Sequence, residues 1–265
     1  MTTQVYIPTL NRPELIEKTL PFWEKQDADV TLVIDPVKKQ ENAYAKLPVD
    51  KLLLPGRRMG MGAIRQFILE DATDRGLEAF VMSDDDAYPY RGNIVNLCHA
   101  VLEEDVVGCG ACYSYHGLMI GNEVLDTRTR FPIAGGYGHT LVGINVTNAL
   151  FAGGYPKELT AWGEDTELQR RGIVEEMPWY YSTEVELKAT AKRFAPGGLT
   201  YRYPGQQRER QELKSKKWVA KEWPEYVSQS AGGRLRFQWK KFQNDYDPTW
   251  ADRIPKHVRR ALARR

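Results

Sequence analysis

The chain has 265 residues, 42% hydrophobic and 27% charged, which fits one large globular domain or a domain with an appendage. Three cysteines (Cys98, Cys109, Cys112) are too few for a disulfide framework, no apolar run approaches the roughly 18 residues of a membrane span, and the opening MTTQVYIPTLNRPE lacks a signal-peptide layout. The expectation is a cytoplasmic protein with no membrane span. The net charge of +2 conceals a segregation: residues 188–265 hold 20 Lys+Arg against 7 Asp+Glu, and residues 1–187 hold 17 against 28. The basic third also carries four of the seven tryptophans, so two jobs are expected of the two regions.

In chain order, QVYIP (4–8) and VTLVID (30–35) read as strands, and PELIEKTLPFWEKQ between them spaces its apolar residues as a helix does. KLLLP (51–55) is a further apolar piece, followed by the glycine cluster GRRMGMG (56–62) and a helix AIRQFILEDATDRG ending at Gly76. AFVMS (79–83) is a strand running into three aspartates. This alternation predicts an α/β fold with a mainly parallel sheet, whose ligands bind at the carboxyl ends of the strands. Beyond residue 105, VVGCGACYSY and GHTLVGINVTNALF read as strands, TAWGEDTELQRRG as a helix stopped by Gly172, and 206–221 and 255–265 as basic helices.

Two acidic motifs carry chemistry. In Ser83-Asp84-Asp85-Asp86 three adjacent carboxylates repel one another, an arrangement that a hard cation such as Mg²⁺ or Mn²⁺ relieves. In Trp162-Gly163-Glu164-Asp165 an acidic pair opens a helix, either as ordinary caps or as a general base facing the first cluster. Other signals are weaker. Cys109-Gly-Ala-Cys112 has CxxC spacing with His99 and His116 nearby, but its run reads better as a strand with structural cysteines. GRRMGMG fits a phosphate cradle or a tight turn, and His139 fits a loop histidine or an acceptor contact.

The order IPTLNRP, Asp35, GMGAIRQ, SDDD and AWGEDTELQRRG resembles the nucleotide-sugar glycosyltransferases of the GT-A fold over roughly residues 4–172. The resemblance implies a GT-A-like, Rossmann-type mixed sheet flanked by helices for residues 1–187, with a basic, mainly helical extension over 188–265. It implies that Pro8, Thr9, Asn11 and Arg12 meet the nucleotide, that Asp35 contacts its base, and that Arg65 lies near the sugar-phosphate. Asp84 would face the ribose or sugar with Asp85 beside it, and Asp86, the last residue of the DXD-like cluster, would hold Mn²⁺ or Mg²⁺ on the diphosphate of a UDP-sugar. Asp165 would take the acceptor proton in an inverting displacement, and Glu164 would orient the acceptor. Many members of this class add a histidine ligand some 30 residues after the acidic pair, where this chain has LKATAKRFAPGGLTYRYPG. Either His257 reaches back, or Asp86, phosphates and water hold the metal, or the enzyme depends little on metal.

The basic third interleaves cations with aromatics, in KSKKW and RLRFQWKKF for example, and suits nucleic acid: Lys214, Lys216 and Lys217 for phosphates, Trp218 and Trp239 for exposed bases. A solvated basic surface is the plainer reading. With the resemblance, it points to bacteriophage DNA modification, sugar being moved to the hydroxymethyl group of a pyrimidine in the host cytoplasm. A polysaccharide or protein acceptor is the rival, and a non-catalytic nucleic-acid-binding protein the third reading.

Overall fold

Apolar and β-branched residues dominate Thr3–Thr9 (β1) and Ala28–Ile34 (β2), and both strands are buried on their two faces, as the inner strands of a parallel sheet must be. A computed structural model describes residues 2–9, 12–34, 41–54, 59–113, 130–133, 140–160, 162–189, 206–230 and 232–246. The remaining strands of the sheet are β3 (Asp50–Leu53), β4 (Ala79–Ser83), β5 (Ala87–Arg91), β6 (Gly108–Tyr113), β7 (Arg130–Ile133), β8 (Leu141–Asn145) and β9 (Trp179–Ala189). Their order is β3-β2-β1-β4-β8-β6-β9-β5, with β7 paired to β9. The first four run parallel, and β8 pairs antiparallel with β4, so the sheet is mixed, as the resemblance implied.

Helices α1 (Pro13–Trp23), α2 (Glu41–Ala45) and α4 (Val95–Glu103) cover one face; α3 (Met61–Asp74), α5 (Val146–Phe151) and α6 (Glu164–Val174) cover the other. Alternation along β1 sends Tyr6 to the second face and Val5 and Ile7 to the first. Among the described residues no helix is long and apolar enough to cross a membrane.

The start of α3 is fixed by a close approach. The N–H groups of Met61 and Gly62 donate to Thr160 and Leu159 carbonyls at 3.1 and 2.9 Å, and a Cβ on Gly62 would stand 2.0 Å from the Pro156 carbonyl oxygen. GRRMGMG is therefore a packing device at Gly60 and Gly62, its amides given to protein carbonyls rather than to a phosphate; residues 55–58 lie outside the described set. The contact sets α3 against the loop that leads into α6.

Several elements depart from the sequence reading. The second half of GHTLVGINVTNALF is helical, because the Asn145 side chain accepts the Asn148 N–H at 3.1 Å and caps α5. Helix α6 runs past Gly172: it ends where Glu176 adopts a left-handed φ of 60° and the Met177 N–H returns to the Gly172 carbonyl at 2.7 Å. Cys109 is buried in β6 and His99 is exposed on α4. The side chains of Cys112, His116 and His139, and the expected helix at 255–265, lie outside the described residues.

The C-terminal region contains α7 (Gln206–Glu222), a 3-10 turn at Pro224–Tyr226, a hairpin of β10 (Val227–Gln229) and β11 (Leu235–Phe237), and α8 (Trp239–Tyr246). Its centre is Phe242, fully buried, with the rings of Trp223 and Tyr226 edge-on at 5.4 and 5.1 Å and Ile173 of α6 completing the cluster. One polar knot joins this cluster to α6. The buried Glu167 accepts from Arg170 at 2.7 Å, from Arg171 at 3.1 Å and from the Trp223 indole N–H at 3.1 Å. Arg170, also buried, lies over the Phe237 ring at 4.2 Å.

Removing one partner of a buried ion pair strands the other. Glu167→Ala is expected to cost about 3–5 kcal/mol of stability, read as a lower urea midpoint in far-UV circular dichroism. An unchanged midpoint would show that α6 and the C-terminal cluster are held together without the knot.

Candidate active site

The turn after β4 delivers the three aspartates in alternation. Its backbone is pinned to the start of β8, where the Asp84 N–H donates to the Thr140 carbonyl at 2.8 Å and the Ser83 hydroxyl to the same oxygen at 3.2 Å. The side chains of Asp84 and Asp86 are 39% and 29% exposed, while Asp85 between them is 3% exposed. Asp85 therefore points inward. There it receives the Arg12 guanidinium in a two-pronged ion pair (Nε to Oδ2 at 3.0 Å, Nη2 against Oδ1) and the Thr9 hydroxyl at 2.9 Å. Burial pushes Asp85 up to about 6, against the pull of Arg12.

Thr9 and Arg12, expected at the nucleotide, are thus engaged in holding the turn. Both are buried, and Arg12 Nη1 also stands 3.5 Å from the Asp86 carboxylate. Tyr44, which nothing in the sequence singles out, braces them: its hydroxyl lies 2.9 Å from the Thr9 hydroxyl and accepts the Arg12 backbone N–H at 2.9 Å. Pro8 is half-buried near the end of β1, beside Val33 of β2. Asn11 and Asp35 lie outside the described residues.

Arg65, on the second turn of α3, joins the two acidic motifs. It is 5% exposed, with Nη2 at 3.9 Å from Asp84 Oδ1 and Nε at 3.4 Å from Glu164 Oε1. Neither Nε nor Nη1 of Arg65 has a hydrogen-bond partner, nor does Glu164 Oε2. Buried polar atoms are rarely left so, and here they lie between the two acidic motifs. The buried Tyr155 hydroxyl also meets Arg65, a second contact absent from the sequence reading.

Gly163, with a left-handed φ of 93°, turns the chain into α6 so that Glu164 faces inward and Asp165 sits half-buried at the helix start. Asp165 Oδ1 accepts the Thr166 N–H at 2.6 Å and its hydroxyl at 3.2 Å, which fixes the plane of the carboxylate. Desolvation and the neighbouring Asp165 push Glu164 up to about 7, opposed by Arg65. Asp84 is also raised to about 7, by desolvation first and then by the other aspartates, and water at its exposed edge tempers the shift. The cleft holds more negative charge than Arg65 balances.

The residues of the basic third lie apart from this cleft. Lys214, Lys216 and Lys217 are exposed on α7, Trp218 is half-buried there, and Trp239 is half-buried in the aromatic cluster, 4.8 Å from Phe237. Among the described residues no group of three His, Cys, Asp or Glu side chains forms a ready-made metal site, and His257 lies outside them.

A family model described as TET-associated glycosyltransferase matches residues 3–98, the stretch from β1 into α4 that contains Arg12, Arg65 and the aspartate turn. No curated protein matches the chain. Among solved structures, GalNAc-T7 with UDP, GalNAc and Mn²⁺ is similar at 12% identity and a TM-score of 0.59, over 96% of this chain and 56% of that one. TarS of S. aureus is similar at 16% identity and a TM-score of 0.52, over 99% of this chain and 50% of that one; its 1–349 fragment in complex with UDP gives 15% and 0.50, over 99% and 83%. The chain thus spans about half the length of the GalNAc-T7 and TarS chains. At these identities the likeness is one of fold, and the fold is GT-A-like.

The raised Glu164 makes stability depend on pH. Its proton is held more tightly in the folded chain, so its contribution is complete below the ordinary glutamate range near 4.5 and is lost as pH rises through about 7. Denaturation midpoints should therefore fall between those values, and Glu164→Gln should flatten the fall. A variant profile parallel to the wild type would assign the titration to other groups.

Proposed function

We propose that the chain is an inverting, metal-assisted glycosyltransferase that moves a sugar from a UDP-sugar to a hydroxyl acceptor, the hydroxymethyl group of a pyrimidine in phage DNA. The observation that carries this reading is Arg65: one buried guanidinium faces Asp84 and Glu164, acidic residues 80 positions apart in sequence, at 3.9 and 3.4 Å, and so joins the two acidic motifs. Its fixed positive charge beside both motifs suits a site where negative charge grows on a departing phosphate. The family description and the UDP in structures of similar fold support the donor class.

A divalent cation fits the donor set. Asp84 and Asp86 are both partly exposed at one turn, desolvation and then the neighbouring aspartates raise Asp84, and one or two carboxylates completed by substrate phosphates and water are the usual ligands of Mg²⁺ and Mn²⁺. Asp86 would be the principal ligand, and the cation would supply charge neutralisation at the departing diphosphate. The buried Asp85–Arg12 pair holds the turn that presents Asp86.

Asp165 is the general base. It takes the proton of the acceptor hydroxyl as that oxygen bonds to the anomeric carbon from the face opposite the nucleotide. The bond from that carbon to the diphosphate oxygen breaks, and its electron pair leaves on UDP. Thr166 holds the carboxylate in place, and Glu164, against Arg65, aligns the acceptor. The exposed lysines of α7 and the basic composition of the last third support a polyanionic acceptor.

Paired variants test the chemistry. Asp86→Ala should abolish transfer and Mn²⁺-dependent donor binding in calorimetry, whereas Asp165→Asn should lower turnover about a hundredfold or more with donor affinity kept. Full wild-type activity in a chelator would overturn the metal role, and equal losses of affinity and turnover in Asp165→Asn would overturn the base. The acceptor is tested by neutralising Lys214, Lys216 and Lys217 together. Affinity for duplex DNA should fall for all sequences, and the slope of log affinity against log salt should flatten by about 0.9 for each phosphate no longer neutralised. An unchanged slope would favour a glycan acceptor.

A further inference from the structure

The aspartate turn is held from behind by a chain of hydrogen bonds whose direction follows from its donors and acceptors. In its ion pair with Arg12 the Asp85 carboxylate only accepts, so the single Thr9 hydroxyl proton goes to Asp85 Oδ2 at 2.9 Å. The Tyr44 hydroxyl accepts the Arg12 backbone N–H at 2.9 Å and stands 2.9 Å from the Thr9 oxygen, so its own proton is left for Thr9. The order is Arg12 N–H to Tyr44, Tyr44 O–H to Thr9, and Thr9 O–H to Asp85. All four residues are buried, which keeps bulk water from replacing any of these bonds.

The chain joins three segments that follow parallel strands. Thr9 ends β1 and Arg12 opens α1; Tyr44 lies on α2, between β2 and β3 in sequence; Asp85 follows β4. Arg12 is held at both ends of its peptide units, its N–H given to Tyr44 and its carbonyl accepting the Leu15 N–H at 3.1 Å. The Tyr44 ring is anchored in the apolar cluster of the first face, so its oxygen is a fixed point.

The Arg12 guanidinium has two carboxylates within reach. Nε and Nη2 are committed to Asp85, and Nη1 stands 3.5 Å from Asp86 Oδ2. A guanidinium that closed fully on Asp86 would compete with a cation there. Asp85 holds Arg12 back from that closure, and its hold requires two things: a fixed carboxylate plane, which the Thr9 proton supplies, and a fixed Arg12 backbone, which the Tyr44 oxygen supplies. Both requirements meet in one phenol.

We propose that the Tyr44 hydroxyl is a positioning group for cation binding, which keeps Arg12 on Asp85 and thereby leaves Asp86 to the metal. The proposal rests on the metal-assisted reading above and adds a residue, outside both acidic motifs, that sets how strongly the cation assists.

The test reads UDP binding to the full chain by calorimetry, in EDTA and in Mn²⁺, and takes the gain in affinity that Mn²⁺ supplies. Tyr44→Phe removes one oxygen and keeps the ring; it should cut the gain about five- to tenfold, the scale of one or two buried hydrogen bonds. Thr9→Val breaks the same chain at its next link and should cut the gain to a similar extent, whereas Thr9→Ser, which keeps the hydroxyl, should keep most of it. The double variant Tyr44→Phe, Thr9→Val should lose little more than the larger single loss, because both changes break one chain. A merely structural role lowers affinity in both media and leaves the gain, so an unaltered gain in Tyr44→Phe or in Thr9→Val overturns the proposal, as do losses that add in the double variant. No gain in the wild type overturns the metal reading and the role of Tyr44 with it; a wild-type gain that the variants keep overturns that role alone.

Discussion

A buried arginine cannot lose its charge, and the cost of its desolvation has to be met by carboxylates brought to it. Arg65 imposes that condition here. It draws Asp84 from the end of β4 and Glu164 from the start of α6 to within 3.9 and 3.4 Å, and both contacts are possible only because α3 begins where Gly62 touches the Pro156–Thr160 loop. The balance is incomplete: Glu164 and Asp84 are both held above the ordinary carboxylate range, and two guanidinium nitrogens make no hydrogen bond. A site in this state gains from a ligand with its own oxygens and from added positive charge.

The same helix that carries Glu164 and Asp165 is clamped at its middle. Glu167, one turn on, accepts the Trp223 indole N–H, and Ile173 enters the aromatic cluster around Phe242. The C-terminal region therefore acts on the acidic pair through the position of α6.

Legibility in the sequence followed how local each cause is. The strand before the aspartates, the helix ending at Gly76 and the helix opening at Gly163 were readable, because glycine at a left-handed position and an apolar run are signals within a few residues. The end of α6 was not readable, since Glu176 takes the left-handed position that glycine takes at residue 76. The triplet SDDD read as three similar carboxylates. Alternation at the turn makes Asp85 a buried anchor for Arg12 and leaves Asp84 and Asp86 partly exposed. Tyr44 and Tyr155 were invisible because their partners are 32 or more residues away in sequence, and no local pattern reports a contact that only the closed sheet creates.

The charge segregation along the chain follows from the same chemistry. The carboxylates of Asp84, Asp86, Glu164 and Asp165 together repel phosphates, and a phosphate-bearing acceptor would be held off by them. Arg12 and Arg65 already stand among these carboxylates, and further positive charge for a polyanionic acceptor would serve best at a distance from them. It has to stand outside, close enough to hold the polymer and far enough to leave the carboxylates ionised. The exposed lysines of α7 and Arg236 of the hairpin meet that condition, because they belong to the C-terminal region that packs on α6 through Ile173. On this argument the two regions form one electrostatic arrangement, in which the basic part offsets at the rim the repulsion that the acidic part must keep at its centre.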